Sequence, residues 1–130
     1  MKIDKKLLAI DLFVLLAFSA GGVKFHHVGG SVVLQVFRII WPFAVGFAIS
    51  GLILKAYLRP PTRAVFLVRS LFHWLAGMGL GFLLRGVTMG VAPSFLFVKI
   101  AMAFTGVTLA IGRGLAGAGY SAQAKDPDPL

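Results

Sequence analysis

Apolar residues along this chain come in four long runs, covering 7–23, 32–58, 64–84 and 94–112. Short polar breaks separate them. A helix needs about 20 apolar residues to cross a bilayer. The second run exceeds that and predicts a tilted helix, while the first is at the short end. These lengths, with little period-2 alternation, exclude strands. In lipid every backbone amide must find a partner inside its own segment, so the runs predict helices.

The breaks have clear chemistry. Residues 24–31 are polar and include Gly29 and Gly30. The Arg-Pro-Pro-Thr-Arg stretch at 59–63 is a turn that neither flanking helix can run through. Residues 86–93 form a third loop. After Arg113 the chain reads GLAGAGYSAQAKDPDPL, which has no packing pattern and is expected to be disordered. The expected organisation is one four-helix domain over 1–113 and a tail over 114–130. A lysine-rich start before an apolar stretch also fits a cleaved signal peptide, with Ala17-Phe18-Ser19 as a weak cleavage site. Asp11 interrupts that stretch and argues against cleavage.

Composition sharpens the picture. The chain is 58% hydrophobic, with a mean hydropathy of +0.92 and 13% charged residues. The charged share is about half that of soluble proteins. A soluble domain of this length could not hide so much apolar surface. Thirteen Lys and Arg against four Asp and Glu give a net charge of +9. Most of these cations flank apolar runs, which points to a bilayer and away from nucleic acid. The absence of cysteine excludes disulfides, thiolate metal sites and cysteine nucleophiles.

Cation placement orients the chain. Eight lie at the N-terminus, the second loop and the tail: Lys2, Lys5, Lys6, Lys55, Arg59, Arg63, Arg113 and Lys125. The first and third loops hold two, Lys24 and Arg85. The positive-inside rule then predicts an up-down-up-down bundle with both termini in the cytoplasm.

Small residues mark candidate packing faces. Gly77 and Gly81 form a GxxxG pair, Gly106 and Ala110 begin a small-xxx-small series, and Ala44 and Ala48 make another pair. Such residues let helix backbones approach closely, within one bundle or between copies in a homodimer. Pro42 removes the amide that would bond the Arg38 carbonyl, so a kink or water-filled notch is expected there. Gln35, Arg38, Pro42, Gly46 and Ile49 share a helical face that should look inward.

Ionisable residues inside the membrane are functional candidates by default. Arg38, Lys99 and Arg85 lie toward the outer end, with Lys24, His26 and His27 in the loop above and no acid in that half. Two outcomes follow. The cations bind an anion or anionic headgroup in a cavity with Trp41 and Phe95, or they splay apart to lipid phosphates. At the other end, Asp11 and Arg69 lie at equal depth, which predicts a structural ion pair with His73 extending it. No acid pair, Cys or Ser-His-Asp set at one depth is expected, so no enzyme activity is expected either. His26 and His27 lack a third metal ligand, and no metal or cofactor is expected.

Read in order, DLFVLLAF, WPF with a following Gly, RP, GMGLGFLLRG, SF and a final Gly-Arg resemble the Domain of Unknown Function 3054 family. The residues here are Asp11, Trp41-Pro42-Phe43, Gly46, Arg59-Pro60, Gly77, Leu84-Arg85, Ser94-Phe95 and Gly112-Arg113, so the likeness covers 11–113. The chain departs from the family pattern at Gly22-Val23-Lys24-Phe25-His26 and lacks a Trp at the last helix end. The resemblance implies a small four-helix prokaryotic membrane protein and implies no activity. Two functions follow as expectations. One is a non-enzymatic protein of the cell membrane that binds or transports an anionic ligand or lipid headgroup. The other is an accessory subunit docking on a larger membrane complex.

Overall fold

The computed structural model describes residues 3–25 and 31–118, and all regular structure among them is helical. Four helices follow in order: α1 (Lys5–Phe25), α2 (Val32–Leu54), α3 (Arg63–Met89) and α4 (Phe95–Gly117). Three are long and apolar enough to cross a membrane, over Val33–Leu54, Arg63–Met89 and Phe95–Gly117. The first loop, with His26 and His27, and the tail from 119 lie outside the described residues.

Local chemistry sets the ends. α2 stops at Leu54, four residues short of the apolar run, because Lys55 turns left-handed (φ 56°) and the Ala56 amide donates back to the Gly51 carbonyl at 3.0 Å. That turn lays the Tyr57 ring where a Gly51 Cβ would be, so glycine is required there. After Pro60 and Pro61, Thr62 caps α3, its hydroxyl accepting from the Val65 amide at 3.2 Å. α3 runs five residues past the predicted end, through Arg85, and closes on Gly90 at φ 70°. Ser94 caps α4 on the Phe97 amide at 3.2 Å. α4 continues to Gly117, so the first residues assigned to the tail are helical.

Among the described residues each helix packs on its chain neighbours, and α1 also packs on α4. The α2–α3 interface is the most extensive. Glycine makes it close. Phe47 lies on Gly77 and Phe43 on Gly81, and a Cβ on Gly46 would sit 2.9 Å from the Gly81 amide nitrogen. Trp74 likewise covers Gly106. These three predicted packing glycines therefore act within one bundle, while Ala48 and Ala110 are exposed. Phe18, Phe43, Phe82 and Phe97 then pass edge contacts across the core, with centroids 5.2–5.8 Å apart.

The inward face of α2 keeps Pro42 and Gly46 of the predicted one but not its ends. Phe43, Gly46, Phe47 and Ser50 are buried, whereas Arg38 and Ile49 are exposed. α2 runs unbroken through Pro42, whose ring is fully buried, so the expected notch is filled by protein.

Candidate functional site

The polar residues of the core gather around Asp11, two turns into α1. Its carboxylate is 2% exposed. Arg113, from the penultimate turn of α4, is 3% exposed and grips it with two bonds. Nε donates to Oδ1 at 2.9 Å and Nη2 to Oδ2 at 2.8 Å. This bidentate fork is the strong form of the pair. The third guanidinium nitrogen, Nη1, donates to the Ala56 carbonyl and to Ser70 Oγ, both at 3.2 Å. The Tyr57 ring lies 5.6 Å from the guanidinium carbon.

Two further groups reach Oδ2. The Tyr57 hydroxyl donates to it at 2.7 Å, and His73 Nε2 lies 2.6 Å away. His73 is fully buried between Phe47 and Tyr57, with ring centroids at 4.9 and 5.1 Å. Its Nδ1 meets Ser50 Oγ, and the Ser50 hydroxyl also reaches the His73 carbonyl at 3.2 Å. The cluster thus draws on α1, α2, the α2–α3 turn, α3 and α4. Burial, with the Asp11 charge beside it, holds the Tyr57 phenol well above the ordinary tyrosine range. Tyr57 therefore remains a donor at every physiological pH.

The predicted Asp11–Arg69 pair is not formed. Arg113 takes the carboxylate because it lies on the buried stripe of α4, with Ala101, Thr105, Leu109 and Gly117 at intervals of four. Arg69 lies beside the buried stripe of α3, half-buried, and its Nη1 has no hydrogen-bond partner. His73, expected to extend an Asp11–Arg69 pair toward Gly77, instead meets Asp11 directly. A Ser-His-Asp series also exists at one depth, contrary to expectation: Ser50, His73 and Asp11.

The outer cations have separate surroundings. Arg85 stacks over Phe97 at 5.0 Å, Lys99 lies over Phe95 at 5.3 Å, and Arg38 and Lys99 are exposed. Trp41 and Phe95 are on the surface at 36% and 77% exposure, so they do not line an enclosed cavity. The three side chains therefore do not converge on one cavity, and the described part of that half holds no acid to draw them together.

Span-length apolar helices closed around a charged cluster define a helical membrane protein. Residues 8–116 match the family described as Protein of unknown function (DUF3054), and the chain belongs to it. The match includes both Asp11 and Arg113. No curated protein and no solved structure matches the chain.

Proposed function

We propose that this chain is a non-enzymatic, multi-pass protein of the cytoplasmic membrane whose inner cluster responds to protons through His73. The observation that carries the reading is the placement of His73 in series between Ser50 and Asp11. With Asp11 ionised by Arg113, Nε2 carries a proton toward Oδ2. Nδ1 then has two satisfied states. In the neutral ring it accepts from the Ser50 hydroxyl. In the charged ring Nδ1–H donates to Ser50 Oγ, and the hydroxyl turns to the His73 carbonyl. Rotation of one hydroxyl therefore accommodates a proton without leaving a buried group unpaired.

Charge gives the proton a consequence. Asp11 faces His73 from α1, Ser50 from α2, Tyr57 from the turn, and Arg113 from α4; Arg69 and Ser70 flank it on α3. Protonated His73 and Arg113 then share one carboxylate oxygen, and their repulsion weakens the hold on α4. The bundle alternates up-down-up-down with both termini in the cytoplasm, a reading supported by the cation count and by α1, α4 and the α2–α3 turn meeting at one cluster. Ser50 is 2% exposed and spends its hydroxyl on His73, which favours a switch over a nucleophile. The accessory-subunit reading stands second; exposed Arg38, amid exposed Leu34, Phe37 and Trp41, favours it as a contact for an acidic partner.

Hydrogen exchange on the reconstituted protein tests the proton reading. After correction for intrinsic rates, the last turns of α4 should lose protection as the pH is lowered. His73→Gln should flatten that dependence. The same profile in both proteins sinks the proposal.

A further inference from the structure

An apolar groove of about 420 Å³ runs along the outside of the bundle between α1 and α4. Its walls are Ala9, Ile10, Phe13 and Val14 from α1 and Ile111 and Gly112 from α4. Thr108 also lines it, but its hydroxyl is turned back to the Phe104 carbonyl at 2.7 Å and adds little polarity. Gly112 shapes the floor, where a Cβ would meet Ile10 Cγ2 at 2.8 Å. Phe13 and Ile111 are 72% and 59% exposed and form the lips. The size is within the range of small-ligand sites, about 300–1,000 Å³.

We propose that this groove holds one acyl chain of an anionic phospholipid, whose phosphate rests on Lys6 with Lys5 beside it. Register along α1 supports this. Lys6 precedes Ala9, Ile10 and Phe13 by three, four and seven residues, so all share one side of the helix. Phe13 lies about 10 Å deeper along the axis than Lys6. The phosphate and upper acyl carbons of one lipid cover such a span.

Charge selects the headgroup and the occupant. Lys5 and Lys6 are both exposed. Lys5 and Lys6 outnumber Asp4, which caps the Lys6 amide at 3.0 Å, and Asp11 is held by Arg113. The mouth of the groove is therefore basic. A second copy seated here by two-fold symmetry would bring Lys5 and Lys6 toward their own counterparts, and like charges oppose it. A phospholipid with a net negative headgroup meets both the apolar wall and the basic mouth.

Tryptophan emission in vesicles provides the test. Phe13→Trp is reconstituted with brominated phosphatidylglycerol or brominated phosphatidylcholine at equal mole fraction, and the signal of the unsubstituted chain is subtracted. A lysine near the headgroups favours the anionic lipid by about fivefold, and a preference of that order is expected. Adding Lys5→Gln and Lys6→Gln should abolish it. Ala9→Leu, at an exposed position, fills the groove without touching the core and should reduce quenching by both lipids. Equal quenching by the two lipids overturns the proposal. So does a preference that survives Ala9→Leu, since the basic rim alone then explains it. If neither lipid quenches, protein covers the groove, and the proposal fails equally.

Discussion

The two ends of this bundle treat their cations oppositely. Near the start of α1, Arg113 is pulled into the core and spends all three nitrogens on Asp11, Ala56 and Ser70. Toward the other end, Arg38 and Lys99 stay at the surface and Arg85 settles on an aromatic face. The difference is one carboxylate. A buried anion converts a costly charge into a fastening of α1, α3, α4 and the α2–α3 turn, and without it the same residue types stay at the surface or on aromatic rings. Cations in an apolar helix are therefore poor markers of a site until the acid that could gather them is found.

Three changes would break or sharpen this contrast. The largest effect is expected at Arg113. Arg113→Leu leaves the Asp11 carboxylate buried without its counter-ion and should destabilise the protein in detergent by about 3–5 kcal/mol. Combining it with Asp11→Asn should recover part of the loss. The same cycle run with Arg69→Leu should show no coupling to Asp11, and a coupling of similar size at both positions would contradict the geometry.

Tyr57→Phe comes next. It removes a hydrogen bond to a charged acceptor, with an expected cost of about 1.5–3 kcal/mol. It also has a pH signature. The phenol is protonated more tightly in the folded state, so its contribution is complete below the ordinary tyrosine value of about 10 and declines as pH rises beyond it. Urea denaturation above that pH should show a falling stability in the parent chain and a shallower fall in Tyr57→Phe. In a Tyr120→Phe background the remaining phenol should give no phenolate absorbance at about pH 10 while the protein is folded. The smallest effect belongs to the outer end, where Arg38→Gln with Lys99→Gln should change stability by less than about 1 kcal/mol.

Much of this contrast was legible in the sequence, but not which residues meet. Helix number and type came from apolar runs, because bilayer thickness leaves few alternatives. Asp11 stood out because an acid in an apolar run has to be paired. Its partner was hidden by depth counting, which places Arg69 and Arg113 at similar levels. The distinguishing signal was periodicity: Arg113 continues the four-residue spacing of Thr105 and Leu109, and Arg69 falls beside the corresponding line on α3. Ser50 and Tyr57 carried less warning. Tyr57 reaches Asp11 only because Lys55 ends α2 early, and a left-handed lysine is not something an apolar run announces.

The fork between Asp11 and Arg113 joins residues 102 positions apart. During synthesis α1 emerges long before α4 has left the ribosome. Until then the Asp11 carboxylate has only Tyr57 and His73 as donors and no arginine. The nascent three-helix form therefore carries an acid without the arginine that neutralises it in the finished bundle. A chain stopped before Ser94 should be cleared rapidly in cells, and Asp11→Asn should extend its lifetime, even though that substitution weakens the full-length protein.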